Sequence, residues 1–231
     1  EWFRAAALVL NTANVYRRLG QYSQALTMHD EALEFYERAS AGPASLADQV
    51  PLKAALVTAN KANILTLLGE FSIALQLHQQ ARNMFVRHGD VVSALREQHN
   101  IAQVYAGRGN FTQAMRLLTD AVADAEQAGL EAVASEVMLD LIDCTLTLNG
   151  DAHALELAVE TIERLEHSGT PTEAAQARFL CGLAYARLGE PDRALDLLTQ
   201  AAEVFDSAGL SNSAALAALA RSSLSSRRCR R

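Results

Sequence analysis

The chain has 231 residues, half of them apolar and only 6% aromatic, with a net charge of −7 at pH 7 and a pI of about 5.4. An acidic balance of this size excludes a general nucleic-acid surface, which needs a basic stripe; four arginines sit in the terminal SSRRCRR, leaving the rest more acidic still. Cys144, Cys181 and Cys229 have no metal or disulfide-framework spacing, and no apolar run approaches the ~20 residues of a membrane span, so a cytoplasmic protein without metal or cofactor is expected.

The first helix is expected from Phe3 to Leu19, with Ala6, Val9, Ala13 and Tyr16 on one face at three- and four-residue steps, and Gly20 stops it. Its partner, Tyr22 to Arg38, carries Tyr22, Ala25, His29, Ala32 and Tyr36 inward. The skeleton Ala13, Tyr16, Gly20, Tyr22, Ala25, Ala32 returns as Ala62, Leu65, Gly69, Phe71, Ala74, Ala81, then as Ala102, Tyr105, Gly109, Phe111, Ala114, Ala121. A decayed copy holds Ile142, Thr145, Asn149, Asp151, Ala154 and Thr161, and a fifth holds Gly182, Tyr185, Gly189, Pro191, Ala194 and Ala201. The alanine opening each second helix falls at 25, 74, 114, 154 and 194, a period of 40 after one longer step. The longer step contains AGPASLADQVP, read as an exposed loop.

Such a period makes the chain an all-α stacked array of five helix pairs, at about 3–40, 52–89, 91–129, 131–169 and 171–209. A capping helix at 211–222 covers the last apolar face, and 223–231 is a basic tail expected to lack order. In the fourth pair Asn149 takes the glycine position, and Asp151 replaces the aromatic, so that pair is expected to pack least well. The opening EWFRAAAL is already on helical pattern and reads as part of a longer protein.

Small, aromatic, glycine, aromatic, alanine, alanine in this order, five times over, resembles the tetratricopeptide repeat (TPR). The units are longer than the usual ~34 residues and are similar to those of kinesin light chains, bacterial TPR regulators and TPR-CHAT proteins; N-x-A-x-x-Y stands here as Asn11, Ala13, Tyr16 and as Asn100, Ala102, Tyr105. The resemblance implies an α-α superhelical solenoid and a non-enzymatic module binding a protein or peptide in its concave groove, within a larger bacterial multidomain protein. Two alternatives stay open: the ligand-sensing segment of a bacterial transcription regulator, and the accessory repeat region of a CHAT-type protease.

The resemblance also implies which positions of the first helices line the groove: Asn11, Asn14, Arg17 and Arg18; Asn60 and Asn63; Arg96, His99, Asn100 and Gln103; Glu136, Asp140 and Asp143; and Phe179. A carboxamide both donates and accepts, so the asparagines suit the backbone of an extended peptide. The alternative for Asn11, Asn60 and Asn100 is bridging between helices. The family's clamp for a C-terminal carboxylate is incomplete: Asn14, Asn60 and Arg96 match, but Leu10 stands where a lysine belongs and Asn100 where an arginine belongs. Charge divides along the positions, basic in the first three pairs and acidic in the fourth.

Glu136, Asp140 and Asp143 share one helical stripe and do not converge as a metal cage requires. His29 and His78 occupy one register in successive second helices and are read as packing positions without a carboxylate partner. No nucleophile elbow, phosphate loop or dinucleotide-binding glycine pattern is present.

Overall fold

A computed structural model describes residues 1–42 and 49–228, with side chains to 225. The described residues form eleven α-helices and no strand: α1 (Trp2–Arg18), α2 (Tyr22–Ser40), α3 (Gln49–Leu67), α4 (Phe71–Arg87), α5 (Val91–Gly107), α6 (Phe111–Gln127), α7 (Glu131–Thr147), α8 (Asp151–Ser168), α9 (Pro171–Arg187), α10 (Pro191–Ser207) and α11 (Ser211–Arg228). They divide into two compact bodies, Glu1–Leu117 and Leu118–Arg231. From α1 to α5 in the first body and from α7 to α11 in the second, each helix packs on its neighbours in sequence, and each first helix of a pair also touches the next first helix, α1 on α3 on α5 and α7 on α9 on α11. This is an all-α helical-repeat solenoid pattern.

Two helix limits differ from the sequence reading. Gln49, Val50 and Pro51 begin α3 instead of belonging to the loop, because a proline in the first helical turn removes only an N–H that has no intrahelical acceptor. Residues 43–48 of that loop lie outside the described residues. The last helix runs to Arg228, past Ser222, since no Gly or Pro interrupts it; residues 229–231 lie outside the described residues.

The turns that end α1 and α3 to α10 share one chemistry, a residue of positive φ just past the helix. At the fourth pair Asn149 has φ 61°, the one positive φ outside glycine among the described residues. There the Asn149 N–H donates to the Leu146 carbonyl at 3.0 Å and the Gly150 N–H to Thr145 at 2.9 Å, the paired bonds of a Schellman stop. Asn tolerates this region because its short polar side chain offsets the Cβ penalty.

The cores are built from small residues at the helix crossings. Ala13, Ala25, Ala32, Ala62, Ala74, Ala154, Ala194 and Ala201 are all without solvent exposure. Larger side chains fill the ends: Phe3 meets Tyr36 edge-on at 5.5 Å between centroids, and burial raises the Tyr36 phenol above its ordinary range. Sizes trade across each pair. Gly182 stands where the first three repeats carry Ala, and an added Cβ would lie 2.9 Å from Leu198 Cγ and 3.3 Å from the Ala194 carbonyl. In the fourth repeat the same two register positions are Ile142 and Ala158, large and small exchanged, both fully buried.

Of the helix pairs that lie within one body, α7 and α8 of the fourth repeat make the sparsest contact, as expected from Asp151 in the aromatic's place. Helix α7 is buried at Val133, Ala134, Val137, Met138, Leu141, Ile142, Cys144 and Leu146. Asp151, in the aromatic's place, pairs with Arg187 of the following repeat (Nη1–Oδ1 3.2 Å), and the same Nη1 donates to the Leu146 carbonyl at the end of α7. In the second repeat the corresponding aromatic, Phe71, lies against Gly107 of the following repeat, where a Cβ would come within 2.8 Å of the ring. A ring on glycine in one place is a carboxylate on guanidinium in another.

Gly182→Ala is expected to destabilise by about 1–2 kcal/mol: overpacking of a dense contact outweighs the gain of up to ~1 kcal/mol in helix propensity. Denaturant titration checks this, with a lower midpoint at unchanged slope as the expected result.

Candidate functional site

The groove positions read from the sequence all fall on first helices, as the period requires. In the N-terminal body α1, α3 and α5 lie side by side. Asn11 and Arg18 are exposed on α1, with Asn14 and Arg17 half-buried; Asn60 and Asn63 are half-buried on α3; Arg96 and Gln103 are exposed on α5. Among the described residues the carboxamides of Asn11, Asn14, Asn60 and Asn63 have no hydrogen-bond partner, yet none is sealed from solvent.

Asn100 differs. Its amide donates to Glu97 Oε1 at 3.0 Å, and Glu97 Oε2 accepts from His78 Nδ1 at 2.7 Å. Glu97 and His78 are 4% and 1% exposed, so this is a buried polar chain running from α4 through α5. Beside it Arg82 donates to Gln98 Oε1 at 3.1 Å, and buried His99 lies 3.4 Å from the Gln103 amide through Nε2. His78 thus has the carboxylate partner that the sequence reading denied it. The signal was present: Arg96, Glu97, Gln98, His99 and Asn100 are five consecutive polar residues, more than a full helical turn, so some must point inward.

His29 occupies the same register in α2, but the corresponding residue of α3 is Val57 instead of a carboxylate. Both ring nitrogens are buried without a partner. Burial pushes the imidazole down to about 4; Asp30 opposes this, while Lys61 and Arg17 add to it. The ring is neutral at pH 7.

In the C-terminal body α7 carries Glu136, Asp140 and Asp143, with Asp140 half-buried and the others exposed. Desolvation and the neighbouring Asp140 raise the Asp143 carboxyl above its ordinary range, with Arg187 acting against them. Phe179 does not stand free: it packs half-buried against the cluster of Ala175, Ala201, Phe205 and Ala217 that joins α9, α10 and α11. A cleft of about 760 Å³ between α7, α8 and α9 is lined by Glu131, Ser135, Glu136, Glu163, Arg164, His167 and Glu173, among others. Arg164 is already held by Glu126 at 2.7 Å, and His167 Nδ1 lies 2.6 Å from the Glu163 carbonyl. Among the described residues no group of three or more His, Cys, Asp or Glu is arranged to hold a metal ion. Cys144 and Cys181 are buried and free, and burial lifts both thiols to about 11, which removes thiolate reactivity near neutral pH. No described helix is long and apolar enough to cross a membrane.

Helix pairs with these turns and these alanine columns define a class, the helical-repeat proteins. Residues 6–40 and 98–128, less than a third of the chain, match the family model described as Tetratricopeptide repeat. No curated protein matches it by sequence. Solved structures share the fold: a STAND protein with a tetratricopeptide repeat sensor from Pyrococcus horikoshii (TM-score 0.75, 12% identity, 96% of this chain and 34% of that one). Aspartyl phosphate phosphatase F from Bacillus subtilis (TM-score 0.72, 14% identity) covers 97% of this chain and is covered over 60%. A Rap protein complexed with competence and sporulation factor (TM-score 0.67, 15% identity) covers 98% and is covered over 65%. The chain spans less than two thirds of each of these three.

Glu97→Ala should strand His78 with both ring nitrogens unpaired and destabilise by about 1–3 kcal/mol, while the double variant His78→Leu with Glu97→Leu should recover part of that loss in a double-mutant cycle. For His29 the folded-state value lies below the unfolded 6.5, so the unfolded chain binds the extra proton between pH 6.5 and about 4. Stability is full above that window and falls as the pH drops through it, by at most about 3 kcal/mol. Chemical denaturation across pH 4–7 should show a shallower slope for His29→Gln than for the unaltered protein.

Proposed function

We propose that the chain is a non-enzymatic interaction module that holds an extended peptide segment of a partner against the first-helix face of its N-terminal body. The observation that carries this reading is the set of carboxamides on α1 and α3. Asn14 and Asn63 sit at one register on adjacent helices, are half-buried, and have no hydrogen-bond partner among the described residues. Each offers a donor and an acceptor, which matches the alternating N–H and C=O of an extended backbone. Arg17, Arg18 and Arg96 border the same face and favour an acidic segment. Asn100 gives one amide hydrogen to Glu97 and keeps its carbonyl without a partner among the described residues. Structural neighbours support the reading, since a Rap protein of the same fold is complexed with competence and sporulation factor and another with the Phr* peptide. A second reading, a sensor segment within a larger regulator, is supported by the likeness to a repeat sensor in a STAND protein; in it the same face takes the signal.

Selection of binders from a displayed random-peptide library tests the proposal. Asn14→Ala with Asn63→Ala should weaken a selected peptide by about tenfold or more, as the loss of two hydrogen bonds predicts, with thermal unfolding nearly unchanged. Unchanged affinity would end the carboxamide reading.

A further inference from the structure

The first repeat carries the chain's one tryptophan, half-exposed, and shows how an aromatic ring seats at a place that holds no ring in the second repeat. In the first repeat Trp2 of α1 lies against Phe35 of α2 with centroids 5.5 Å apart, and the Arg38 guanidinium carbon stands 5.0 Å from the indole centroid. The second repeat follows at a spacing of 49 residues, which maps Trp2 onto Pro51, Phe35 onto Met84 and Arg38 onto Arg87. The indole has no counterpart there. At that place is a cleft of about 390 Å³ between α3 and α4, lined among others by Pro51, Ala55, Ala81, Met84 and Arg87 and by the polar Gln80 and Asn83.

Each element that holds Trp2 in the first repeat has an equivalent around this cleft. The floor is small and apolar, with Ala55 and Ala81 buried. Met84 supplies a polarizable wall where Phe35 stood, and thioethers contact aromatic rings favourably. Arg87 is exposed, makes no ion pair among the described residues, and is the one charged group of the lining. A cation with no carboxylate beside it complements the negative face of a π system. Asn60 and Asn63 are not part of the lining, so this cleft is separate from the carboxamide face.

We infer that the α3–α4 cleft is a binding site for an aromatic side chain carried by a partner polypeptide, seated on Ala55, Ala81 and Met84 and covered by Arg87 as Trp2 is covered by Arg38. The inference does not depend on the carboxamide proposal, because it concerns different residues and a different class of contact.

The test uses the whole chain with ¹³C-labelled methionine and alanine methyls, titrated with end-blocked Gly-Trp-Gly, end-blocked Gly-Leu-Gly and free indole. Saturable shifts at the Met84 and Ala55 methyls with the tryptophan peptide, at least threefold tighter than with the leucine peptide, are expected. Arg87→Ala should weaken that binding at least threefold, and Pro51→Trp should abolish it by restoring the missing ring. Should Pro51→Trp fail to fold, Thr58→Trp, which blocks the same cleft from α3, replaces it. Equal response to the leucine and tryptophan peptides, the absence of saturable shifts, or binding of free indole with none of the peptide would overturn the inference.

Discussion

Close approach of helices through alanine is the constraint on which the rest of the structure depends. Where two helices cross at Ala25, Ala74 or Ala194, neither side chain holds the backbones apart, and every other contact inherits that short distance. The spacing decides what a neighbouring position can hold. Leu198 is accommodated because residue 182 is glycine; Ile142 is accommodated because residue 158 is alanine. Volume is conserved across the crossing while the identities exchange, as dense packing demands.

Polar groups inside such a core must find partners within the same geometry. Histidine at one register met two outcomes. His78 faces Glu97 and joins a chain that ends on Asn100; His29 lies opposite an apolar position and stays neutral through burial. The first arrangement holds the Asn100 side chain through one amide hydrogen and leaves its carbonyl without a partner among the described residues. The second makes the stability of the N-terminal body sensitive to acid.

Differences between repeats are local and compensated. Asp151 in place of an aromatic is met by Arg187 from the following repeat, which also satisfies a terminal carbonyl of α7. Proline in place of Trp2 is not compensated from within the described residues, and a cleft remains with its arginine unpaired.

The helices, their glycine stops and the register of each face were legible in the sequence, because they follow from contacts within one helix pair: a 3.6-residue period, a positive φ, a small residue at a crossing. Asn149 in the left-handed turn is read directly from its side chain. The fate of Glu97, Phe179 and Arg187 was not legible. Spacing gives the direction in which a side chain leaves its helix, but whether it is buried, paired or exposed depends on the volume and charge of residues on other helices. Phe179 became part of a core because Phe205 and Ala217 left room beside it. Glu97 became the partner of His78 because two helices brought those atoms to 2.7 Å, a meeting that only tertiary packing decides.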